Sequence, residues 1–129
     1  MKLEIAEANC WYHGSDQQFE VLREGSTITQ WKELAEAFSH KPAMLCFGDD
    51  GEIIHNGRRS GYLYRIAEPV EVGKDVLPHP RTTMIPNAEF LTARPLQVVW
   101  ISDVPLPADE QLASMEWELE RLRKERTSR

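Results

Sequence analysis

Two short stretches of the chain group side chains capable of chemistry. Tyr12-His13-Gly14-Ser15 sets an imidazole beside a glycine and a hydroxyl. A neutral imidazole offers one hydrogen-bond donor and one acceptor, and a glycine lets a flat ligand approach the backbone without meeting a Cβ atom. His55 with Arg58 and Arg59 makes a basic turn that could receive a phosphate through charge-assisted hydrogen bonds, although a solvated hairpin tip fits the same residues. Ser15, Ser26, His13 and Asp16 are the side-chain types of a hydrolase triad, but there is no Gly-x-Ser-x-Gly elbow to organise them. His40, His55 and His79 with Cys10 and Cys46 lack the close ligand pairs of a zinc site, so no metal is expected. Neither a Gly-Lys-Ser/Thr phosphate loop nor a Gly-x-Gly-x-x-Gly fingerprint occurs, and a dinucleotide site would have to be non-Rossmann.

These residues need elements to hold them. Cys10 to His13 reads as a short aromatic-rich strand ended by a Gly14-Ser15-Asp16 turn. Ser26 to Thr29 reads as extended, with Thr29 capping a helix whose Trp31, Leu34, Ala35 and Phe38 share one side and which stops before Pro42. Met44 to Phe47, a Gly48-Asp49-Asp50-Gly51 turn and Glu52 to His55 make a hairpin, and Tyr62 to Ile66 continues it as a β-meander after the Asn56-Gly61 turn. Pro69 to Pro86 is an excursion with room for a short strand at Val70 to Val72. Glu89 to Thr92 resumes the sheet, and Leu96 to Ile101 is the strongest strand by β-branched and aromatic content. Ala108 to about Arg126 is rich in helix formers, with acids at its start and bases at its end as the macrodipole favours.

At 129 residues the chain can enclose one core, and 41% hydrophobic with 28% charged residues is a globular composition. The fold class expected is α+β, with residues 1–106 as the domain and 107–129 as a C-terminal helix packed on it or used for association. A net charge of −6 disfavours a general nucleic-acid binder. The apolar runs are far shorter than the ~20 residues of a membrane span. The opening Met1-Lys2-Leu3-Glu4 lacks a secretory core, which points to the cytoplasm, where Cys10 and Cys46 act as buried thiols.

Tyr12-His13-Gly14-Ser15, then Ser26-Thr27-Ile28-Thr29 running into a helix with Ala35 and Phe38, then Gly61 to Ile66, then Glu89 to Val99, occur in an order that resembles the ADP-ribosyltransferase fold. There is some likeness to its small rifampin-modifying members. The resemblance implies antiparallel split sheets around an NAD cleft, with transfer of ADP-ribose from NAD to an acceptor and loss of nicotinamide. It implies that His13, Gly14 and Ser15 hold the ribose and nicotinamide parts of NAD, that Thr27 and Thr29 occupy the second strand motif, and that Phe38 stacks on nicotinamide. Glu89 would bind a ribose hydroxyl and stabilise the oxocarbenium-like sugar, acting with His13 as the catalytic pair, while Asn87 would position the acceptor. Plainer readings fit some of these residues too: His13 or Phe38 as core, and Asn87 as a turn former.

The acceptor could be a protein, a nucleic acid or a small molecule. No tyrosine stands at the family's helix position, and the acidic motif reads Asn-Ala-Glu. A second expectation, from a different class, is therefore a noncatalytic interaction module on the same fold. Its partner or homodimer surface would be the stripe of Met115, Leu119 and Leu122 on the C-terminal helix.

Overall fold

The computed structural model describes residues 10–127 except Asp49 and Thr83, and excludes the side chains of Arg126 and Thr127. The expected leaderless N-terminus and the Asp49 position of the hairpin turn lie outside the described residues. The architecture is α+β, with mostly antiparallel sheets and two helices. In chain order the elements are β1 (Tyr12–Ser15), β2 (Val21–Leu22), β3 (Thr27–Ile28), α1 (Lys32–Ser39), β4 (Leu45–Phe47) and β5 (Ile53–His55). They continue with β6 (Gly61–Ile66), β7 (Val76–Pro78), β8 (Phe90–Thr92), β9 (Leu96–Val104) and α2 (Asp109–Thr127).

A four-stranded sheet runs β1-β6-β9-β2, a three-stranded sheet β3-β8-β7, and β4-β5 stand as a separate hairpin. The first two sheets are stitched together where Tyr12 and Thr29 exchange backbone hydrogen bonds of 2.7 and 3.0 Å. Between them lies the main core of Trp11, Leu22, Ile28, Ile66, Val76, Phe90 and Leu96. Trp11 meets Phe90 edge to face at 5.0 Å, a favoured geometry for the ring quadrupoles. A register shift between Leu63 and Tyr64 marks a bulge in the β6-β9 pairing, which increases the local twist.

Helix α1 sits on the opposite face of the large sheet, closer than side chains ordinarily permit. A Cβ on Gly14 would lie 1.7 Å from the Ala35 carbonyl oxygen, and one on Gly61 would lie 2.1 Å from Ser39 Oγ. Two strand glycines therefore form the seat for the small residues Ala35 and Ser39, both 0% exposed. A third, Gly57, lies under His40, whose Cβ would be 2.5 Å from an added one.

Several expectations change. Gly14 and Ser15 belong to β1 rather than to a turn, because the helix seat requires a glycine inside the strand. Thr29 does not occupy the N-cap; that position is Trp31, which makes no side-chain cap bond. The Thr29 hydroxyl instead accepts the Trp31 N–H at 3.0 Å. The β-meander is also not found: β6 pairs with β1 and β9, not with β5. In the Pro-rich excursion the strand is Val76–Pro78, since Val76 at 0% exposure is the residue that reaches the core. Among the described residues no helix is long and apolar enough to cross a membrane.

The stripe on α2 is in part used within the chain. Leu112 and Leu119 are buried, and Met115 and Leu122 are half-buried. The helix packs toward β5 and is tethered there by an ion pair between Arg58 and Glu116. Met115 and Leu122 thus remain partly accessible, and the large apolar side chain left exposed on this helix is Trp117.

Candidate functional site

A cleft of about 1270 Å³ is lined by residues from β1, β2, β3, α1, β4 and α2 and by the segments flanking them. His13, Gly14, Ser15, Thr27, Phe38 and Glu89 all line it. Thr29 and Asn87 do not. Thr29 is 1% exposed and occupied with Trp31. Asn87 takes the left-handed φ of 65°, a conformation asparagine tolerates better than most residues and one that fits its turn-forming reading.

His13 is held by both neighbours of its strand. In the β1-β6 register it stands opposite Tyr64, and its Nδ1 lies 2.7 Å from the Thr27 carbonyl oxygen. A carbonyl can only accept, so Nδ1 carries the hydrogen, and the neutral ring has Nε2 as an acceptor. Burial pushes the imidazole pKa below the ordinary histidine value, outweighing the Thr27 hydrogen bond that raises it. At neutral pH this ring is suited to accept a hydrogen bond from a ligand hydroxyl.

The rim beside it is organised by Tyr64. The phenol donates to the Gln17 carbonyl at 2.9 Å and accepts the Phe19 N–H at 3.3 Å. Its ring stacks on Phe19 at 4.6 Å, and Phe19 lies 5.8 Å from the His13 ring. Ser15 Oγ accepts the Gln17 N–H at 3.1 Å, which fixes the start of the same loop. The triad types are not arranged as a triad, since His13 is committed to Thr27 and Asp16 pairs with Arg59 at 3.0 Å and Lys41 at 3.9 Å.

Gly14 lines the cleft and also has a structural purpose. The space its missing side chain leaves is filled by the backbone of α1, so its lack of a Cβ lets the helix approach closely. Phe38, half-buried on α1, reaches the cleft rather than the main core. Glu89, also half-buried, immediately precedes β8, whose pairing with β3 brings it to the side of the cleft that Thr27 occupies.

Sequence reasoning missed much of the wall. Arg23, Lys41 and Arg123 bring three cations to a cleft whose lining carboxylate is Glu89. Arg123 is paired with Glu120 at 2.6 Å, whereas the Arg23 guanidinium has no ion-pair partner among the described residues. Met44 and Phe47 from the hairpin and Leu119 and Leu122 from α2 form an apolar side. The helical spacing of the two leucines was a signal that they face something, but it could not show what. The basic turn is likewise engaged, with Arg58 on Glu116 and Arg59 on Asp16.

A pH dependence follows from two rings. Burial holds His13 and His55 below the ordinary histidine pKa in the fold, while in the unfolded chain both titrate near ~6.5. As pH falls the unfolded chain takes up protons first. Stability should therefore be full above about 6.5 and decline below it, by up to ~1.4 kcal/mol per pH unit for each ring, until the folded pKa values are passed. Urea denaturation across that range should show this fall, and His13→Gln should make it shallower; a flat profile would contradict it. No family model and no curated protein matches the chain.

Proposed function

We propose that the protein transfers ADP-ribose from NAD to an acceptor, using this cleft. The supporting observation is that His13, Ser15, Thr27, Phe38 and Glu89, which come from four separate segments, line one cavity. In this reading His13 Nε2 accepts a ribose hydroxyl, and the Phe38 ring lies against nicotinamide. Arg23 and Lys41 suit the diphosphate through charge-assisted hydrogen bonds.

The reaction breaks the bond between the ribose C1 and the nicotinamide nitrogen, and its electron pair leaves with nicotinamide. A lone pair of the acceptor then bonds to C1, and the acceptor loses a proton. Positive charge grows on the sugar between these events, and the carboxylate of Glu89 stabilises it.

Calorimetric titration with NAD tests the reading without a known acceptor. Saturable binding is expected, weakened about tenfold or more in His13→Ala, equivalent to roughly 1.4 kcal/mol or more. Folded wild-type protein that does not bind NAD would overturn it.

A further inference from the structure

A second cavity, of about 480 Å³, lies between α1, β5 and α2. At its base are two buried imidazoles, His40 and His55, 3% and 5% exposed and stacked with centroids 5.4 Å apart. Each ring has one nitrogen committed to the backbone: His40 Nδ1 is 2.6 Å from the Arg59 carbonyl, and the Gly57 N–H donates to His55 Nδ1 at 3.0 Å. These bonds fix opposite tautomers. His40 carries its hydrogen on Nδ1 and has Nε2 as an acceptor, whereas neutral His55 has Nε2–H as a donor.

Neither Nε2 has a partner among the described residues, and no buried side-chain nitrogen or oxygen among them is left unpaired. Both atoms must therefore reach solvent, and the space that both rings line is this cavity. Apart from the two imidazoles, the charged side chains of the cavity lining are of one sign. Glu33 and Glu36 from α1 and Glu52 from the hairpin line the cavity, and no lysine or arginine does. Burial depresses the His55 pKa, and His40 and Arg58 add to it; Arg58 is not part of the lining and pairs with Glu116. Trp31, Met115 and Pro107 supply apolar wall.

We propose that this cavity binds a small organic cation, an amine or guanidine attached to an apolar body. The charged group lies among the three carboxylates and donates to His40 Nε2, and the body packs on Trp31 and Met115. Cation–π attraction to the indole adds to the fit, and the volume is within the roughly 300–1,000 Å³ of small-molecule sites. The site is separate from the cleft and does not depend on what the cleft binds.

Benzylamine and its uncharged analogue benzyl alcohol, titrated into the whole chain and followed by NMR of the histidine ring resonances, test this directly. Benzylamine should shift His40 and His55 saturably without moving His13. Benzyl alcohol should bind about tenfold more weakly or worse, as should benzylamine to the Glu33→Gln, Glu36→Gln double variant, whose exposed and half-exposed positions leave the core intact. Equal binding of the two probes, His40 and His55 signals that stay still in folded protein, or a shift of His13 in their place would each overturn the proposal.

Discussion

Gly14→Ala is expected to destabilise the fold by roughly 3 kcal/mol or more, lowering the melting temperature by about 10 °C or more. The new methyl carbon would lie 1.7 Å from the Ala35 carbonyl oxygen, 2.8 Å from its carbon and 2.9 Å from the Ser39 nitrogen. All three are backbone atoms, so no rotamer change can make room. Helix α1 would have to lift off β1, and because it also sits on Gly61, the same movement opens its second contact. Gly73 provides the contrast: its φ of +95° strains an alanine, but nothing lies within 4 Å of the added carbon, and the cost there should be about 1–3 kcal/mol of backbone strain alone. Denaturant titration of both variants separates the two causes. A Gly14→Ala protein as stable as wild type would mean that the helix does not approach this closely.

Glu89→Gln should reduce the rate of nicotinamide release from NAD by about 10²–10³-fold, with water serving as the acceptor when no other is supplied. Glutamine keeps the shape and the hydrogen-bonding reach but removes the negative charge that, in the proposed reaction, would stabilise the developing oxocarbenium. NAD affinity should change only a few-fold, because the ground-state sugar is uncharged and the lost interaction belongs to the transition state. Single-turnover release measured beside NAD titration distinguishes the cases. Unchanged release with unchanged binding would remove Glu89 from the chemistry, whereas loss of both would assign it to binding. Asn87, outside the cleft lining, should tolerate alanine with little effect on either measurement.

Elements set by local pattern were legible in the sequence. The apolar face of α1, the β4-β5 hairpin around its glycine turn, the β-branched run of β9 and the helix formers of α2 appear within a few residues of where they were expected. What depended on distant neighbours was not. Gly14-Ser15-Asp16 has the composition of a turn, and nothing local shows that a helix from farther along the chain needs that glycine in a strand. The β6 strand would pair with its predecessor by adjacency, but Gly57 packs against His40 and the chain leaves the hairpin for the larger sheet. For the candidate site, the motif residues could be read individually, and most of them line one cavity. Its cations and apolar wall come from α2, the β4-β5 hairpin and loops whose sequences carry no mark of what they face.

The strand pairing also has a kinetic side. Tyr12 pairs with Arg65, Val21 with Gln97 and Thr27 with Leu91, so the three N-terminal strands each wait for partners made much later in the chain. Loop-closure entropy must be met before any of these contacts is rewarded, which places refolding in the slow range, milliseconds to seconds, of domains rich in non-local pairings. The cleft is complete only once α2 has docked, because Leu119 and Leu122 reach it from that helix. A ligand of the cleft would then recognise only chains whose assembly is complete, and the rate at which binding capacity returns after denaturation would time the docking of the last helix.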